Sequence, residues 1–203
     1  MSSATHFPAG SLTGPGAPEW PLPYRGTVGM ACLIVAESAI FLIFVVAYIY
    51  YLGRSLSGPT PAQVLETPIF GTICLLSSSI TIHYCVVALR KGNMRLFTAQ
   101  LGATVVLGTI FLVSTAIEWH HLIFDEGLTI QTNLFGTTYY SLVGLHASHV
   151  IVGLIMLGLL LMFAFFGWVK QGHAEKVETL SLYWHFVDAV WVVVFTVVYV
   201  LGK

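Results

Sequence analysis

Tyr183-Trp184-His185-Phe186-Val187-Asp188-Ala189-Val190-Trp191 decides how this chain is read. The stretch lies inside an apolar run from Leu180 to Leu201 in which Asp188 is the single formal charge. His185 and Asp188 stand three residues apart, so on a helix they share a face. An ionisable pair inside a membrane span is costly and marks a functional site by default. Whether the run spans a membrane is decided by the rest of the chain.

Among 203 residues there are eight Lys and Arg and nine Asp and Glu, while 57% of the chain is apolar. A soluble domain typically carries about a quarter charged residues. The few charges are also segregated. Thr27 to Leu52 holds only Glu37, and Ile69 to Leu89 holds none. Leu96 to Ile117 and Tyr139 to Val169 hold none beyond what His146 and His149 would add if protonated. Each run reaches the roughly 20 residues a helix needs to cross a bilayer core. A soluble helical protein would show a polar stripe in each run, and these show none. The expected fold is an all-α integral membrane protein. Five transmembrane helices, over about 27–52, 69–89, 96–118, 139–169 and 180–201, form one bundle spanning 26–203.

Residues 1–25 hold five of the eight prolines and lack an apolar core, so they read as a Pro/Gly-rich arm rather than a signal peptide. The link between the second and third runs carries Arg90, Lys91 and Arg95, and that between the fourth and fifth carries Lys170 and Lys176. The link from Glu118 to Thr138 carries Asp125 and Glu126 and no basic residue. The positive-inside rule then predicts a cytoplasmic N-terminus and an outside C-terminus. A net charge of −1 argues against nucleic acid as a partner, which needs a basic surface to neutralise its phosphates. Cys32, Cys74 and Cys85 sit at unrelated spacings and read as small apolar residues.

Glu37, His83, Glu118, His146, His149, His185 and Asp188 are the polar groups that need an account. One reading is interhelical hydrogen bonding, worth roughly 0.6–2 kcal/mol per contact. Glu37, near mid-span, is expected to be protonated, paired with a histidine or arginine, or facing water. A haem would need histidines facing one another across the bundle. His146, seven residues after Tyr139, and His185, five after Leu180, are expected at different depths, which disfavours a shared haem. A di-iron site needs two Glu-x-x-His pairs, and Glu118-Trp119-His120-His121 is the only one. Phosphate-loop, dinucleotide, nucleophile-elbow and zinc-protease motifs are missing. No catalytic residue and no metal ligand set is predicted in this chain.

Five segments, in order, resemble one family. Ala36-Glu37-Ser38-Ala39-Ile40-Phe41 is similar to the intramembrane carboxylate segment of haem-copper oxidase subunit III. Leu75-Leu76-Ser77-Ser78-Ser79-Ile80-Thr81-Ile82-His83 resembles its serine-rich segment ending in histidine. Ala116-Ile117-Glu118-Trp119 stands where the family usually shows Glu-Tyr. Gly144-Leu145-His146-Ala147-Ser148-His149 resembles its Gly-x-His-x-x-His segment, and the opening nonapeptide its Tyr-Trp-His-Phe-Val-Asp-x-Val-Trp signature. Five helices, where many members have seven, resemble the short form found in quinol oxidases and some bacterial cytochrome c oxidases.

The resemblance implies an accessory, non-catalytic subunit of a proton-pumping, oxygen-reducing oxidase in a bacterial cell membrane. No cofactor is implied in this chain; haem and copper would lie in partner subunits. Subunit I is implied as the main contact, with subunit II, phospholipids and a respiratory supercomplex as further partners. Glu37 occupies the family's carbodiimide-reactive position. His83, Glu118, His146, His149, His185 and Asp188 are implied to form the polar network, lipid contacts or the subunit I interface. Arg90, Lys91, Arg95, Lys170 and Lys176 are expected at lipid headgroups, or there simply through the positive-inside rule. Cytochrome c is the expected electron donor. The alternatives are a quinol oxidase subunit, the related partner of a nitric oxide reductase, and a small transporter relaying protons through Glu37 and Asp188.

Overall fold

The computed structural model describes residues 24–55, 58–65 and 67–202. Most of the expected arm, and the C-terminal residue used for the topology, lie outside the described residues. Five helices are long and apolar enough to cross a membrane. They are α1 (Arg25–Tyr51), α3 (Ile69–Arg90), α4 (Met94–Phe124), α5 (Leu134–Phe165) and α6 (Ala174–Phe195), with a four-residue α2 (Pro61–Val64) between the first two. A 3₁₀ turn (Gln171–His173) leads into α6, and a π turn (Thr196–Val200) prolongs it, closed by the Leu201 N–H donating to Thr196 O at 3.0 Å.

Helix boundaries depart from the limits of the apolar runs. α4 continues past Glu118 to Phe124, α5 runs from Leu134 to Phe165 rather than from Tyr139 to Val169, and α6 begins at Ala174 rather than Leu180. Apolar runs mark the hydrocarbon layer, whereas caps mark the helix. Asn133 Oδ1 accepts from Gly136 N at 2.7 Å, which starts α5 before Thr137 and Thr138. The hydroxyls of those two threonines donate back to Asn133 O and Leu134 O, so neither resists the helix. Asn93 Oδ1 likewise accepts from Leu96 N and starts α4.

The same accounting ends α3 and α5. Gly92, at φ 74°, lets its N–H reach Leu89 O while the Asn93 N–H reaches Ala88 O. This is a Schellman end, which favours glycine because the position is left-handed. Gly167, at φ 71°, repeats it after α5, with Trp168 N donating to Phe163 O. α3 and α4 are therefore joined by a three-residue turn and pack as an antiparallel hairpin.

The order around the bundle is α1, α6, α3, α4, α5, with α5 and α6 also in contact across the middle. Thr27 and Thr179 hydroxyls meet at 3.3 Å, and Gln171 Nε2 donates to Arg90 O at 2.6 Å. The starts of α1, α4 and α6 and the ends of α3 and α5 thus share one end of the bundle.

Trp184 fills the centre. From α6 its indole Nε1 donates to Ser78 Oγ on α3 at 2.8 Å. A Cβ on Gly108 of α4 or on Gly153 of α5 would stand 2.8 Å from its ring. Two glycines on different helices therefore make room for one side chain. Two turns on, Trp191 donates to Thr72 Oγ1 at 3.2 Å and meets Phe111 edge-on at 4.8 Å. Gly108→Ala or Gly153→Ala is expected to destabilise the fold by about 1–3 kcal/mol through overpacking. Gly158→Ala, with nothing within 4 Å of the new methyl, is expected to be neutral. Unfolding of the three variants in detergent, followed by tryptophan fluorescence, measures the difference.

Candidate functional site

The helices divide the polar groups within the spans into separate clusters. On the α1–α5 seam, Glu37 Oε2 lies 3.2 Å from His149 Nε2. The other ring nitrogen, Nδ1, lies 2.8 Å from Leu145 O. A carbonyl only accepts, so Nδ1 carries a hydrogen. Nε2 and the carboxyl then share one proton, as neutral acid and imidazole or as carboxylate and imidazolium. The histidine partner expected as one possibility for Glu37 is His149. The pair borders a cavity of about 310 Å³ with Met30, Leu33, Val152 and Met156.

A second cluster lies on the α3–α6 seam. Ser79 Oγ donates to Asp188 Oδ2 and lies 3.0 Å from His185 Nδ1. Asp188 is 3% exposed, and its Oδ1 has no hydrogen-bond partner among the described residues. His83, one turn along α3 from Ser79, is exposed and touches the Tyr84 ring edge-on.

At the opposite end from the basic links, Glu118 Oε1 accepts from Tyr199 at 2.8 Å and from Tyr139 at 3.3 Å. The π turn places Tyr199 there, so this cluster ties α4 and α5 to the end of the chain. His146 joins none of the clusters. It is fully buried, stacks on Trp191 with ring centroids 4.9 Å apart, and packs near Phe111 and Phe41. Neither of its ring nitrogens has a partner among the described residues.

Arg90, Lys91, Arg95, Lys170 and Lys176 are all exposed and stand at the end shared by the starts of α4 and α6. Arg90 pairs with Glu178. Lys176 lines an apolar groove of about 510 Å³ with His173, Trp168 and Leu160.

Ser79, Tyr139 and Tyr199 complete these clusters and had not been singled out from the sequence. The serine-rich run was the available signal for Ser79. The tyrosines sit at span edges, where aromatic belts are common, and nothing in the pattern linked them to Glu118.

Among the described residues, no three His, Cys, Asp or Glu side chains gather as a metal ion would need. Fold and site together define a multi-pass helical membrane protein in which Glu37, Glu118 and Asp188 each meet a polar side chain of another helix. Residues 25–203 match the family description of cytochrome c oxidase subunit III. The cytochrome c oxidase subunit 3 of Alkalihalophilus pseudofirmus is 35% identical over 177 residues, 86% of each chain. That of Synechocystis is 38% identical over 181 residues, 85% of this chain and 74% of the relative. The cytochrome bo(3) ubiquinol oxidase subunit 3 of Pseudomonas aeruginosa is 31% identical over 176 residues, 86% of this chain and 84% of the relative. The chain belongs to the cytochrome c oxidase subunit III family.

The shared proton and the adjoining cavity make Glu37 accessible to a reagent dissolved in the membrane. Treating intact membranes with a hydrophobic carbodiimide is expected to add one reagent mass to the peptide carrying Glu37. The Glu37→Gln variant is expected to show none. An unmodified Glu37 would contradict this account of the pair.

Proposed function

We propose that this chain is the accessory subunit III of a proton-pumping haem-copper oxidase that takes electrons from cytochrome c. The observation that carries the reading is the family match across residues 25–203, which takes in every span. In this reading the haems and copper lie in partner subunits, where oxygen is reduced. This chain packs beside subunit I, with subunit II and membrane phospholipids as further partners.

Its own residues contribute proton handling and rigidity. Glu37 and His149 hold one proton between them within the span, 3.2 Å from heavy atom to heavy atom, so the pair stays neutral overall whichever of the two carries it. The Ser79, Asp188 and His185 cluster and the Glu118, Tyr139 and Tyr199 cluster hold the helices in register around that pair. Arg90, Lys91, Arg95, Lys170 and Lys176 stand at one end and meet anionic headgroups there. With the positive-inside rule this end is the cytoplasmic one, in a bacterial cell membrane.

The relatives at 35% and 38% identity bear cytochrome c oxidase names, which favours cytochrome c as donor. The 31% relative is named for ubiquinol, and quinol is the second reading. The tagged chain, purified in mild detergent from its native membrane, is expected to bring haem bands and cyanide-sensitive oxygen uptake supported by reduced cytochrome c. Uptake with quinol alone would move the assignment to a quinol oxidase. A colourless, partnerless protein would contradict the oxidase role.

A further inference from the structure

At the basic end of the bundle, α5 and α6 leave between them the apolar groove of about 510 Å³. Phe163 and Trp168 form one wall, stacked with ring centroids 5.6 Å apart, and both are exposed. Of the five basic side chains at this end, Lys176 alone lines the groove. It makes no ion pair among the described residues. Met156 lines both this groove and the cavity beside Glu37, where Met30 and Leu33 of α1 also lie. The groove therefore opens on the side of the bundle where α1 stands.

α1 and α6 start at the same end and run in the same direction, with Thr27 against Thr179. Three residues back along each helix, Tyr24 comes level with Lys176. Tyr24 itself is in extended backbone, at φ −51° and ψ 130°. The chain thus enters α1 beside the mouth of the groove. Packed helix axes stand about 8–10 Å apart, so Lys176 on α6 is one helix width away.

Residues 16–23, directly before Tyr24, read Gly-Ala-Pro-Glu-Trp-Pro-Leu-Pro. Prolines at 18, 21 and 23 suit a polyproline II path, which rises about 3.1 Å per residue. At that rise Trp20 is about 12 Å and Glu19 about 16 Å of chain from Tyr24. Both can therefore cross α6 and reach the groove, whose α5 wall from Met156 to Phe163 is about 10 Å long. Glu19 is the only Asp, Glu, Lys or Arg in residues 1–24, and its sign is opposite to that of Lys176. Proline-rich segments dock in aromatic-lined grooves, and Phe163 and Trp168 supply such a wall. A tether of four residues holds Trp20 near the groove at about millimolar effective concentration, so a modest contact suffices.

We infer that residues 16–23 fold back across α6 into this groove, with Trp20 against Phe163 and Trp168 and Glu19 paired with Lys176. The segment takes the place that a phospholipid tail and phosphate would otherwise hold. It closes the α5–α6 seam at the end from which α1 starts. The contact lies within one chain and holds for either electron donor.

The test replaces Phe163, which lines the groove, or Phe165, exposed two residues further along α5, with a photo-reactive phenylalanine analogue. Each full-length variant is irradiated in its native membrane and digested with trypsin, which releases residues 1–25 as one peptide. The expected result is that peptide joined to the α5 peptide, in protein that migrates as a single subunit. Its yield from position 163 is expected to be at least threefold that from position 165. Equal yields from the two positions overturn the inference. So does the absence of arm adducts from position 163, whether the label goes to phospholipid, to another polypeptide or nowhere. An arm joined only across two copies, at twice the mass, overturns it as well. Lys176→Glu is expected to lower the yield from position 163 at least threefold, and adding Glu19→Lys is expected to restore it. A yield that neither change moves contradicts the Glu19–Lys176 pairing.

Discussion

The register between α6 and α3 is the constraint on which the rest of the bundle depends. Inside hydrocarbon there is no water to satisfy an indole N–H or a carboxyl, so each must find a protein partner. α6 presents three such groups in two turns, at Trp184, Asp188 and Trp191, and α3 answers with Ser78, Ser79 and Thr72. A slip of α6 by one residue would break all three contacts at once. The Arg90–Glu178 pair closes the same register at the end of the seam. Once α6 is fixed, Trp184 dictates where α4 and α5 stand, because only Gly108 and Gly153 give its ring room.

The proton-sharing pair follows from that arrangement. α5, held against Trp184 through Gly153, carries His149 one turn away on the side that meets α1. Tyr183, beside Trp184 on α6, donates to His149 O at 3.2 Å and ties the histidine's own backbone to the central helix. Glu37 then meets an imidazole whose orientation is set from two sides, by Leu145 O at Nδ1 and by Tyr183 at the backbone. The chain thus sets the contact between this carboxyl and this imidazole from helix packing alone.

Much of this was legible in the sequence. The segregation of charges gave the five spans, and Glu37, His149, His185 and Asp188 were visible as ionisable groups inside them. Asn93, Asn133, Gly92 and Gly167 also stand in plain view, yet hydropathy drew attention to where the apolar residues stop rather than to where the caps sit. That is why α4 ends later and α5 both starts and ends earlier than expected. Pairing across helices was not legible. Which seam holds Glu37, why His146 stacks on Trp191 rather than bonding, and how Tyr199 reaches Glu118 all depend on interhelical geometry and on a π turn without a sequence signature. The exposure of His83 was hidden for the same reason, since a single histidine in an apolar run does not say which way it faces.

The most direct test of the central claim is a double-mutant cycle on the α3–α6 seam. Ser79→Ala, Asp188→Asn and the double variant would be unfolded in mixed detergent micelles alongside the parent chain. The account predicts a coupling energy of about 0.5–1.5 kcal/mol, the range of hydrogen bonds between membrane helices. Strict additivity, with no coupling between Ser79 and Asp188, would contradict the claim that their contact sets the register.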